Sequence, residues 1–168
     1  MDVVERFAQK ASEFEQWLLS DQDAGVDAAR SCLVHLLELH RAGLDLESEP
    51  NNSFDAGLDM PRLSQQERSN AMEATQRLPF DLYGDVLDPT VVPADPSVGS
   101  LGDDIADIYA DIAPALRAFE RGDRDIACQE WRFSLHSHWG AHATSAARAL
   151  HWWLHNNAPD AALGSPTG

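Results

Sequence analysis

One stretch limits what this chain can fold into more than any other. Residues 130–155, EWRFSLHSHWGAHATSAARALHWWLH, hold five of the seven histidines and four of the five tryptophans. At the period of an α-helix, Trp131, Leu135, His138, His142, Ala146, Ala149 and Trp153 fall within an arc of about 80°. The pattern predicts a long helix whose buried stripe carries two imidazoles one turn apart. A polar group left unpaired in a core costs roughly 1–3 kcal/mol. The fold must therefore bring polar partners to this helix.

The preceding segment, SLGDDIADIYADIAPALRAFERG (100–122), is the natural source of those partners. Ser100 and Asp103 open a helix with the apolar stripe Leu101, Ile105, Ile108, Ile112, Leu116 and Phe119, and Pro114 is expected to kink it. Asp103, Asp104, Asp107 and Asp111 share an arc of about 100°, with Asp104 and Asp111 nearest the apolar edge and about 10 Å apart along the axis. Asp103 reads as solvated or capping charge. Asp104 and Asp111 are expected to meet Arg132, His138 or His142 across a helix interface. Arg132, between Trp131 and Phe133, is expected to stack on a ring while its fork pairs with the acidic helix. Gly122 and Asp123 make a tight turn, so 100–121 and 123–156 form a central antiparallel pair.

The rest of the chain supplies the other helices. Val3, Phe7, Ala11, Phe14 and Leu18 mark a first helix over 2–20, with Asp2 as N-cap. A second, over 26–42, places Val26, Ala29, Leu33, Leu36, Leu37 and His40 on one face, with His35 pointing away. A long loop covers 45–63, and Ser64 with Glu67 forms a capping box for a third helix ending near Leu78. FDLYGDVLDPT (80–90) reads as a turn of helix packing Phe80, Tyr83 and Val86 onto the bundle, followed by a proline-containing loop. Gly140, inside the last helix, calls for close packing or a slight bend. Trp152, Trp153 and His155 close the helix and either pack on the first helix, the favoured expectation, or form an exposed aromatic patch. The prediction is a single all-α domain over 1–157, a bundle of about five main helices, with a disordered tail over 158–168.

Twelve basic residues stand against 28 acidic ones, a formal charge of −16. Such a chain is repelled by phosphate backbones and anionic lipid, so neither nucleic acid nor membrane is an expected partner. No apolar run of about 18 residues exists to span a bilayer. MDVVERFAQK has no basic or apolar signal segment. Cys32 and Cys128 read as buried small hydrophobes in a reducing compartment, which makes the cytoplasm the expected location.

Two chemistries need weighing. The HxxxH pair His138 and His142 can point both rings at one divalent ion, given a third ligand such as His40 or an aspartate. DDIAD also spells an aspartate-rich magnesium-diphosphate pattern, but neither the large helical shell nor the second magnesium motif of such enzymes is present. Patterns for nucleophilic hydrolases, P-loops and dinucleotide binding are absent.

SLGDDIADIYADI followed by EWRFSLHSHWGAHATSAARALH resembles a bacterial family of small helical proteins, domain-of-unknown-function family 5063. Leu135 stands where that pattern has phenylalanine. The resemblance implies an all-helical fold and no substrate. It singles out Asp103, Asp104, Asp107, Tyr109, Trp131, Arg132, His138, Trp139 and His142.

Two readings follow. In the first, the chain is a non-catalytic cytoplasmic protein that binds an unidentified protein partner, and Asp104, Asp107, Asp111, Tyr109, Trp131, Arg132, His138, Trp139 and His142 form a structural polar core. In the second, it is a metal-binding bundle in which His138, His142 and His40 or an aspartate hold a divalent ion. In outline that arrangement is similar to the DinB-like metal-dependent hydrolases.

Overall fold

The computed structural model describes residues 1–20, 23–50 and 60–158. Asp2 and Glu5 make a reciprocal capping box that starts helix α1 (Val3–Leu18), which buries Phe7, Ala11 and Phe14. Helix α2 (Gly25–Asp45) runs on into a short 3-10 turn, Leu46–Ser48. A second capping box, Ser64 with Glu67, starts α3 (Gln65–Ala74). Strands β1 (Leu82–Val86) and β2 (Pro96–Ser100) form an antiparallel hairpin. Ser100 caps α4 (Leu101–Glu120) by accepting from the Asp103 backbone N–H. Gly122, at φ +98°, turns the chain into α5 (Arg124–Ser134). Helix α5 continues through a π-turn, Leu135–Trp139, into α6 (Gly140–Asn157).

Helices α1, α2, α4 and the α5–α6 rod pack around one apolar core, with α3 laid against α4. Trp131 and Trp139, both fully buried, fill its centre. Phe7 lies 4.7 Å from the Trp131 ring, and the Trp131 indole N–H donates to the Ile112 carbonyl at 3.2 Å. Each tryptophan thus combines a large apolar area with a satisfied donor. Arg117 ties α4 to α3 through Glu67 at 2.9 Å.

The helical class and the single body agree with the sequence, but four local expectations need correction. First, the predicted helical turn after Pro79 is a strand. Tyr83 pairs with Gly99 in the β ladder, and the Asp81 carbonyl and carboxylate take the backbone N–H groups of Leu101 and Gly102 at 2.9 Å. Antiparallel pairing with residues 96–100 satisfies this backbone, whereas an isolated helical turn is too short to nucleate. Second, the α2 core face is Ala28, Ala29, Cys32, Leu36 and Leu39, while Leu37 is exposed and His35 stacks on Trp17 at 5.4 Å. Third, Trp153 stacks on Phe80 beside the hairpin, and Trp152 is exposed, so neither closes on α1.

The fourth correction matters most. The long helix does not keep one register. The Gly140 N–H reaches back five residues to the Leu135 carbonyl, and this extra residue turns the following stripe by about one position. From Trp139, the last residue of the π-turn, the buried apolar set runs through Ala143, Ala146, Ala147 and Leu150. His138 and His142 are displaced from the core to its edge. Gly140 permits this, because a Cβ there would run into the Leu135 carbonyl oxygen. The expected tail lies outside the described residues from 159 on, as does 51–59 of the expected 45–63 loop.

Candidate metal centre

Helix α4 presents Asp104, Asp107 and Asp111 along one face, and antiparallel to it the π-turn and first turn of α6 present His138 and His142. The pairing follows the antiparallel run. Asp111 Oδ2 meets His138 Nδ1 at 2.8 Å, and Asp104 Oδ1 meets His142 Nδ1 at 2.6 Å. An ionised carboxylate only accepts, so both Nδ1 atoms carry the hydrogen, and each Nε2 presents a lone pair when its ring is neutral. Those two Nε2 atoms lie 3.3 Å apart. Asp107 Oδ2 stands 3.8 Å from His142 Nε2. One ligand atom each from Asp107, His138 and His142 fall within 4.8 Å of one another.

The depth of the cluster is graded. The Asp104 side chain is 8% exposed, that of His142 27%, and that of His138 48%. Asp104 is thus the buried anchor, whereas the Nε2 pair opens towards solvent. The Asp104 hydrogen bond holds the His142 imidazolium above the usual histidine range against an opposing cost of burial, with further help from the charges of Asp107 and Asp111. Three carboxylates around two imidazoles make the cluster strongly cation-attracting.

Other residues singled out from the sequence lie elsewhere. Trp131 and Trp139 are core, and the Trp139 indole donates to the Trp131 carbonyl at 3.3 Å. Tyr109 is buried on another face of α4, where its hydroxyl oxygen accepts from Arg117 at 3.4 Å. Arg132 does not pair with the acidic helix; it donates to the Glu49 carbonyl at 3.2 Å and stands 3.9 Å from Glu47. Its position on α5 faces the end of α2, not α4. His40 sets its ring edge-on to Trp139 at 6.2 Å, burial pushes its pKa down, and it is outside the converging trio. Asp103 is exposed at the helix start. Sequence reasoning missed Tyr83, whose hydroxyl donates to Asp104 Oδ2 from the hairpin. A tyrosine next to a glycine in a short alternating run was the available signal.

A family model described as a domain of unknown function (DUF5063) matches residues 2–156. The chain belongs to the DUF5063 family. This DUF5063 chain is similar in fold to protein BF1032 from Bacteroides fragilis, at a TM-score of 0.72 and 19% identity, over 96% of this chain and 97% of that one. At that identity the likeness bears on the fold alone. No curated protein matches the DUF5063 chain. Among its described residues no helix is long and apolar enough to cross a membrane.

Proposed function

We propose that this chain binds a divalent transition-metal ion through His138 Nε2, His142 Nε2 and an Asp107 carboxylate oxygen. Asp111 and Asp104 hold the two imidazoles from behind. The observation that carries the reading is the Nε2 pair 3.3 Å apart with both Nδ1 hydrogens committed to carboxylates. Two lone pairs facing at that distance repel unless a cation or proton lies between them. Two nitrogens bound tetrahedrally to one ion at about 2.0–2.1 Å stand about 3.3–3.4 Å apart. Carboxylate–histidine pairs of this kind orient metal-binding imidazoles and raise their donor strength. Imidazole ligands favour zinc, iron, nickel or copper over magnesium or calcium.

The half-exposed Asp107 and His138 argue against a purely structural core, which would bury its members. Three protein ligands leave at least one coordination position on the solvent side, where a bound ion would polarise water or hold an exogenous ligand. The buried free thiols Cys32 and Cys128 suit a reducing compartment such as the cytoplasm.

A cobalt titration tests the reading. Chelator-treated protein given Co²⁺ should develop visible ligand-field bands that saturate near about one equivalent and that Zn²⁺ displaces. The double variant His138→Ala/His142→Ala should show none, and His40→Ala should titrate like the wild type. A wild-type chain with no bands and no zinc binding would sink the reading.

A further inference from the structure

The hairpin packs beside the ion site, and one of its side chains reaches into it. Asp104 uses both carboxylate oxygens: Oδ1 accepts from His142 Nδ1 at 2.6 Å, and Oδ2 accepts from the Tyr83 hydroxyl. With each oxygen committed, the carboxylate cannot rotate, and the His142 ring plane is fixed through it. Tyr83 reaches this far only because its ladder partner is Gly99. The tyrosine ring lies across that glycine, and a Cβ there would stand 2.6 Å from the Tyr83 hydroxyl oxygen.

Leu82 is 69% and Val98 74% exposed, so these two side chains add little apolar burial to the hairpin's docking. Its further ties to the helices are Arg148 with Asp85 at 2.6 Å, the Asp81 contacts at the start of α4 and, just before β1, the stack of Phe80 on Trp153. An element held by a small number of contacts responds to changes in any one of them.

We propose that the hairpin is an outer arm of the ion site, in which Tyr83, laid across Gly99, is a positioning residue that holds Asp104 and through it His142, so that ion loading and hairpin docking stabilise each other. The inference rests on the metal-binding reading above and adds a regulatory link to it. Coupling between two equilibria is reciprocal: whatever the docked hairpin adds to ion affinity, the bound ion adds to hairpin docking. Loss of an outer partner of a metal-binding histidine lowers affinity by about 10–100-fold.

Two variants perturb the arm without touching an ion ligand. Tyr83→Phe keeps the ring and deletes the hydroxyl; Gly99→Ala keeps the hydroxyl and displaces the ring. Zn²⁺ affinity is measured by competition with a chromophoric chelator for wild type and both variants. Amide hydrogen exchange over 82–86 and 96–100 is measured with and without Zn²⁺. The expected result is Zn²⁺ binding weakened about 10-fold or more in both variants. In the wild type Zn²⁺ should slow hairpin exchange, and in Tyr83→Phe it should leave that exchange unchanged. A merely structural tyrosine would not make hairpin exchange depend on zinc. Wild-type affinity in both variants, or wild-type hairpin exchange indifferent to Zn²⁺, would overturn this inference and leave the ion site standing. A wild-type chain that binds no Zn²⁺ would overturn both.

Discussion

Replacing Asp104 with asparagine removes the charge at the base of the cluster while keeping its shape. In the metal-free protein the amide oxygen can still accept from His142 Nδ1, and the amide N–H can donate to the Tyr83 oxygen. Two charge-assisted bonds then become neutral ones. Bonds to charged groups contribute about 1.5–3 kcal/mol and neutral ones about 0.5–1.5, so the two changes together cost roughly 2–3 kcal/mol. The substitution also removes the need to desolvate a carboxylate that is only 8% exposed. That offset brings the expected net loss to about 2 kcal/mol. For a chain of this size it corresponds to a fall in melting temperature of about 4–8 °C. Differential scanning calorimetry in chelator measures it. Asp103→Asn is the matched control, because it removes the same charge from a chain of net charge −16 at an exposed neighbouring position. That control should stay within about 0.5 kcal/mol of wild type. Added Zn²⁺ should widen the gap between the two variants, since Asp104 also supports the ion-binding imidazole. An Asp104→Asn protein that melts at or above the control would refute the idea that this carboxylate anchors the cluster.

Two further outcomes are expected. Gly140→Ala pushes a Cβ into the Leu135 carbonyl oxygen and to 3.0 Å from Leu135 Cδ1, which forces the π-turn to rearrange. Stability should drop by about 1–3 kcal/mol in thermal melts and the cobalt bands should be lost; a stabler variant that binds cobalt normally would contradict the role given to the π-turn. In the metal-free protein, His142 is held above its ordinary value of 6.5, chiefly by the Asp104 hydrogen bond. Its stabilising contribution is therefore complete below the unfolded value and lost as pH rises through the folded one. The melting-temperature gap between wild type and His142→Gln, recorded in chelator, should narrow as pH is raised from about 6; a widening gap would reverse the sign of that argument.

Helix starts were legible because capping is local. Asp2 with Glu5 and Ser64 with Glu67 signal their own hydrogen bonds within four residues. The acidic face of α4 and the paired histidines were legible as groups, since spacing on a helix fixes which residues share a face. Their depth was not. A π-turn adds one residue to a turn without changing composition, and only Gly140 marks it. Extrapolating one register from Trp131 therefore put His138 and His142 into the core. The hairpin escaped notice because its strands are five residues each and leave Leu82 and Val98 exposed. Their apolar pattern is too short to tell a strand from a turn of helix. The partner of Arg132 was hidden for another reason: the Glu49 carbonyl is 83 residues away in sequence, and a backbone acceptor leaves no side-chain signature.

The most direct test of the central claim is elemental mass spectrometry on untagged protein purified without chelator. The Nε2 pair of His138 and His142 with Asp107 predicts about one equivalent of a transition metal per chain, lost in the His138→Ala/His142→Ala variant and retained in His40→Ala. A folded wild-type chain with no bound metal, and none taken up on dialysis against zinc, would contradict it and leave a proton shared between two aspartate-held histidines.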